Sequence, residues 1–208
     1  MADTLLLPAA AMAVFTSASI YGFGFLNAEV SCWRSFWKTL PVAIMALFVI
    51  TTGAWLLALA LTLSAIGDYF LSRDEEKFTI GLVSFLTAHL LYIWIFWQLS
   101  PHASFGWGQW AMLAYALIYG AYLWPRVGEY RLPVLAYIFV ITVMVGTAFM
   151  LPTGFMIVLI GSLSFALSDS VLALNMFVIT NQKAKIALSK IVWVSYISAQ
   201  GLLVVGLI

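Results

Sequence analysis

Long apolar runs broken by short polar patches dominate the chain. The runs fall near residues 4–25, 39–67, 78–100, 105–124, 132–180 and 186–208, and Asp169 is the only acidic residue inside them. A membrane-spanning helix needs roughly 20 apolar residues, within a range of about 17–25. Two of the runs are too long for one crossing and must be divided. The first breaks at Thr51 to Gly53, and the second at "LPTG", where Pro152 and Gly154 mark a turn. The pattern therefore predicts an all-α, polytopic bundle of eight transmembrane helices, the second of them short and near residues 36–51.

The basic residues give an independent reading of the same count. All nine Lys and Arg residues, at 34, 38, 73, 77, 126, 131, 183, 185 and 190, lie in or beside the first, third, fifth and seventh loops. The even loops and both termini hold none. Cytoplasmic loops carry the excess of Lys and Arg, so the odd-numbered loops are expected to be cytoplasmic and both termini on the opposite side. Miscounting by one helix would scatter the positive charge over both faces.

Composition agrees with this reading and narrows the function. The chain is 64% hydrophobic and 8% charged, against about 25% charged residues in soluble domains. One transmembrane domain over residues 1–208 is expected, with no separate soluble domain, in a bacterial inner membrane. The net charge of +1, with no basic cluster, offers nothing to nucleic acid. Cys32 is the single cysteine, placed by the pattern in a loop, so neither an intrachain disulfide nor a cysteine metal site is available. No metal or other cofactor is expected. The first basic residue is Arg34, too late for the n-region of a signal peptide, so Thr4 to Phe25 reads as a retained helix.

Ionisable groups inside a bilayer are costly and generally face a polar cavity or mark function. Three fall in predicted spans: Asp68 in "SAIGDYFLSR", His89, and Asp169 in "FALSDSVLAL", whereas His102 falls in a loop. Asp68 is about 7 Å of helix rise from Arg73, close enough to water to be an interfacial carboxylate instead. Asp169 lies about 13 Å from its helix end, too deep for a short side chain to reach the interface, although a structural carboxyl between helices would also fit. His89, about 16 Å deep, suits a catalytic or a structural histidine equally. Helix parity puts all three in the cytoplasmic half of the membrane. Ser64 and Asp68 share a face, as do His89 and Tyr92. Ser162, Phe165 and Asp169 form one stripe, and Trp193, Tyr196 and Gln200 another. Gly161, Ser164 and Ser168 offer small side chains for close helix contact. Tyr115, Tyr119 and Tyr122 read as packing or interface aromatics. "AIGDYFL" at 65–71 parallels "ALSDSVL" at 166–172, which suggests two four-helix repeats with equivalent aspartates.

Several segments together resemble the YhhN family of lysoplasmalogenases: "KTLPVAIMAL" (38–47), "LSAIGDYFL" (63–71), "FTIGLVSFLTAHLLYI" (78–93), "SFALSDSVLALNMF" (164–177) and "WVSYISAQGLL" (193–203). The resemblance runs from about Lys38 to the C-terminus. It implies an eight-helix membrane enzyme hydrolysing the vinyl ether bond of lysoplasmalogens to a fatty aldehyde and a glycerophospho-ethanolamine or -choline. The family's two helix aspartates fall on Asp68 and Asp169, its lysine on Lys38, and its histidine and tyrosine on His89 and Tyr92. Ser64, Ser168, Asn175, Tyr196 and Gln200 complete the candidate supporting and substrate-binding set, and Lys38, Arg73 and Lys77 are placed to attract a lipid phosphate, although the positive-inside rule alone accounts equally well for Arg73 and Lys77.

The residues suit the chemistry. Vinyl ether hydrolysis needs an acid that protonates carbon and a carboxylate that steadies the resulting oxocarbenium ion and activates water, a division that glycosidases make between two carboxyl groups. A proton-coupled transporter also uses buried carboxylates in repeated halves, but usually with broken helices at the site. An intramembrane aspartyl protease also needs two helix aspartates, and "AIGD" approaches its Gly-x-Gly-Asp pattern without the first glycine. The partner expected is a lysophospholipid within the membrane.

Overall fold

The computed structural model describes residues 3–73, 77–100 and 104–208, so His102 lies outside the described residues. Among the described residues eight α-helices follow one another: α1 (Asp3–Ile20), α2 (Cys32–Thr51), α3 (Trp55–Leu71), α4 (Phe78–Gln98), α5 (Trp107–Leu123), α6 (Arg131–Ala148), α7 (Met156–Phe177) and α8 (Gln182–Leu207). One wider, π-helical turn, Tyr21–Phe25, extends α1. Among the described residues there is no strand. Six of the helices, α1, α2, α4, α6, α7 and α8, are long and apolar enough to cross a membrane. The other two, α3 and α5, have 17 residues each, about 25 Å of rise and the lower limit for a crossing. This is a multi-pass membrane protein.

The helix boundaries follow from local chemistry. Ser31 has extended backbone (φ −155°, ψ 162°), and its side chain accepts a hydrogen bond from the Arg34 amide at 3.2 Å, so it caps α2. That cap starts the helix at Cys32, ahead of the expected residue 36, and makes α2 a full 20 residues. Cys32, expected in a loop, is instead the first residue of a helix. Gly53 turns the chain in the middle of the α2–α3 connection at φ +79°, a left-handed conformation that glycine adopts without steric cost. Pro152 precedes a single tight turn, Thr153–Phe155, that separates α6 from α7 as the "LPTG" signal predicts.

The chain packs as two compact units divided within α4, one reaching to Ala88 and the other running from His89 to Leu207. In the first unit α2 packs against α1 and α3. Its buried side chains include Val42, Val49, Leu57, Ala60 and Leu61. α3 and α4 approach closely at two glycines: a Cβ on Gly67 would stand 2.5 Å from the Phe85 ring, and one on Gly81 would stand 2.7 Å from Leu71.

In the second unit α7 and α8 form the most extensive helix pair, with α6 packed on both α5 and α7. Gly161 lets α8 come near enough that a Cβ there would lie 3.1 Å from the Leu202 Cβ, the small-residue contact that drives helix association in lipid. Buried Gln109 ties the start of α5 to α6, accepting from the Gly106 amide at 2.8 Å and donating to the Gly146 carbonyl at 3.0 Å. Large apolar side chains such as Phe15, Leu117, Ile118, Phe139 and Val194 are left on the outside, where acyl chains would cover them.

Candidate functional site

In the first unit the polar chemistry lies between α2 and α3. Arg34 and Lys38 are four residues apart on one face of α2, as Asp68 and Ser72 are on α3. The result is a two-rung ladder. Arg34 Nη1 donates to the Ser72 carbonyl at 3.2 Å, where α3 ends, and one turn deeper Lys38 Nζ lies 3.4 Å from Asp68 Oδ1. The Asp68 side chain is 2% exposed and that of Lys38 is 18% exposed, so the pair is shielded with its ammonium end nearer solvent. Ser64, on the Asp68 face, is buried and donates to its own helix at the Ala60 carbonyl, 3.0 Å away. Arg73 stacks over the Tyr69 ring and donates to the Tyr69 hydroxyl and to Cys32 Sγ. Lys77 is exposed.

The second unit holds Asp169, eight residues before the end of α7 and so about 12 Å from it. Its Oδ2 accepts a hydrogen bond from the Tyr137 hydroxyl of α6 at 2.6 Å. His89 Nε2 is 3.7 Å from the same oxygen, within electrostatic reach but beyond hydrogen-bond length. The His89 ring is fully buried and meets Phe165 and Tyr137 edge-on, with centroids 4.6 and 5.3 Å away. The structure thus brings together His89 and Asp169 from α4 and α7.

The remaining candidates form two further groups in this unit. Tyr92 donates to Gln200 Oε1 at 2.9 Å, and Gln200 Nε2 donates to the Tyr196 hydroxyl at 3.3 Å, giving a buried chain from α4 to α8. Tyr196 also packs edge-on against Phe165, at 5.4 Å, so this chain borders the His89 surroundings. Ser168 and Asn175 join α7 to α8. The Ser168 hydroxyl donates to the Val192 carbonyl at 3.1 Å, and Asn175 Nδ2 donates to Ser189 Oγ at 3.0 Å and the Lys185 carbonyl at 3.2 Å.

Two features go beyond the sequence reading. Tyr137 was absent from the candidates, yet it touches Asp169 directly. Its signal was faint: it is the only tyrosine of α6 and stands beside a buried stripe of Val134, Ile138, Ile141 and Val145. Tyr115 and Tyr119 pack as expected, their rings stacked at 5.4 Å, but both hydroxyls also reach α7 at Ser170, next to Asp169. Tyr115 shares a hydrogen bond with Ser170 Oγ and Tyr119 donates to the Ser170 carbonyl, each at 2.5 Å.

Comparison with known proteins finds relatives over most of the chain. A lysoplasmalogenase of Mycobacterium bovis is 32% identical over 160 residues, covering 73% of this chain and 59% of its own. Two mammalian proteins named lysoplasmalogenase TMEM86B are also similar. The one from Rattus norvegicus is 33% identical over 79% of this chain and 70% of its own, and the one from Sus scrofa is 35% identical over 80% and 71%. The chain therefore spans about three fifths of the length of the mycobacterial relative. No solved structure matches. The family model for YhhN proteins matches residues 33–207, which takes in both ladder residues of α2 and everything from there to the end of α8, and the chain belongs to the YhhN family.

Proposed function

We propose that this protein is a lysoplasmalogenase-like hydrolase that cleaves the vinyl ether bond of a lysophospholipid by acid–base chemistry, with Asp68 and Asp169 as its two working carboxyl groups. The observation that carries this reading is the setting of each carboxyl. Each is held inside a helical unit by a specific partner, Lys38 for Asp68 and Tyr137 for Asp169, in a chain whose relatives are named lysoplasmalogenases.

The reaction would begin with protonation of the vinyl carbon distal to oxygen, which leaves an oxocarbenium ion. One carboxyl group supplies that proton and the other, ionised, steadies the cation and takes a proton from the attacking water. The hemiacetal then collapses to a fatty aldehyde and a glycerophospho-alcohol, returning the proton. A proton donor, a carboxylate and water suffice for this sequence. The proposed arrangement sets the odd-numbered loops in the cytoplasm, and the parallel "AIGDYFL" and "ALSDSVL" segments support an origin in two four-helix repeats.

Purified protein in detergent, given an ethanolamine or choline lysoplasmalogen, should release a fatty aldehyde with enzyme-like saturation. If the vinyl ether stays intact while the protein remains monodisperse, the reading is wrong.

A further inference from the structure

We infer that Tyr137 is a positioning residue for Asp169, fixing one oxygen of that carboxyl group for the reaction. As a role in catalysis this rests on the hydrolase reading above, whereas the contact itself does not.

Three observations within the second unit lead to it. The Tyr137 hydroxyl is 2.6 Å from Asp169 Oδ2. That is a short O–H···O hydrogen bond, near the lower end of the usual range of about 2.5–3.0 Å. The same oxygen lies 3.7 Å from His89 Nε2, and the Tyr137 and His89 rings meet edge-on at 5.3 Å and 77°. One phenol therefore touches both the carboxyl and the imidazole. Finally, Tyr137 is on α6 and Asp169 on α7, so the bond fixes a short side chain from outside its own helix. An aspartate has few torsions, and a donor on one oxygen selects the rotamer that its chemistry uses. A displacement of about 1 Å at a reacting group costs on the order of a hundredfold in rate.

The geometry also separates this role from simple packing. The ring is what meets His89, and the hydroxyl is what meets Asp169. Tyr137→Phe keeps the first contact and removes the second. A packing role needs only the ring, so it predicts no change in the phenylalanine variant.

The test uses full-length protein in detergent with a lysoplasmalogen as substrate. Tyr137→Phe should lower kcat by about tenfold to a hundredfold, leave KM within about twofold, and displace a limb of the pH–rate profile. Wild-type kcat and an unchanged profile would overturn the inference, as would a higher KM alone. A second readout does not depend on turnover. In pH-difference infrared spectra, the carboxyl band lost in Asp169→Asn should be shifted in Tyr137→Phe. An unshifted band means that the hydroxyl does not act on Asp169. An inactive wild type with a shifted band sinks the hydrolase reading and leaves the Tyr137–Asp169 bond standing.

Discussion

Lys38 and Asp68 form an ion pair between α2 and α3, Nζ to Oδ1 at 3.4 Å, with the carboxylate almost wholly enclosed. The pairing bears on what the lysine does. An ammonium this close to a buried carboxylate acts first on that carboxylate, and only secondarily on any lipid phosphate.

Lys38→Ala should consequently lower kcat on two substrates alike: a lysoplasmalogen and a vinyl ether lacking phosphate. Stability should fall by about 3 kcal/mol, the lower part of the range for stranding a buried charge, because the lysine keeps partial access to solvent. Thermal unfolding in detergent measures the second effect. A rise in KM confined to the phospholipid would reassign Lys38 to head-group binding.

Asp68→Asn and Asp169→Asn test the proposed pair. An amide keeps the carboxylate's shape but performs no acid–base work, so each variant should purify as a folded, monodisperse protein without measurable turnover. Groups that work as one unit are not additive, and the double variant should be about as inactive as either single one. Substantial turnover in either purified variant removes that residue from the mechanism.

Much of this arrangement was legible in the chain, for physical reasons that also explain what was not. Apolar length and basic loops report the membrane directly, because the bilayer penalises charge and exposed backbone over a fixed thickness. They gave the breaks at Gly53 and Pro152 and a depth for Asp169 that the structure keeps. The start of α2 was hidden, because a count of apolar residues passes over a serine cap and leaves Arg34 outside the helix. The bond from Tyr137 to Asp169 was hidden for a different reason. Periodicity gives the face a residue occupies on its own helix, but not which helix lies opposite, and in an apolar span a tyrosine reads as one more aromatic. Ser64 gives a smaller example: periodicity puts it on the Asp68 face, but not the bond that its hydroxyl donates to the backbone of its own helix.

Packing between α7 and α8 gives a paired prediction. A Cβ on Gly206 would stand 2.6 Å from Val158 Cγ2 and 3.2 Å from the Val158 backbone nitrogen, whereas one on Gly201 would meet nothing within 4 Å. Gly206→Ala should cost about 1–3 kcal/mol, the usual range for overpacking, and Gly201→Ala should be neutral or slightly stabilising, since alanine is the better helix former. Both glycines are on α8, so the comparison controls for helix propensity. Equal melting temperatures for the two variants would show that α7 and α8 are not packed this closely.

The reaction itself can be tested through the fate of one proton. If a carboxylic acid protonates the vinyl carbon, hydrolysis in D2O must leave one deuterium on the carbon next to the aldehyde. Transfer of the intact alkenyl group forms no such bond, and attack at the glycerol carbon releases an enol that takes its deuterium from solvent only after cleavage, so that route carries the label without carbon protonation slowing turnover. Free aldehydes exchange the same hydrogen slowly, so the product would be reduced as it forms, with a preformed aldehyde carried through in parallel to measure exchange. Proton transfer to carbon in the limiting step should also slow turnover in D2O. Both signals should disappear with the activity in the two asparagine variants, since they arise from the same step. An aldehyde that carries no deuterium beyond the exchange control would exclude carbon protonation by either aspartate, even in a protein that cleaves the ether.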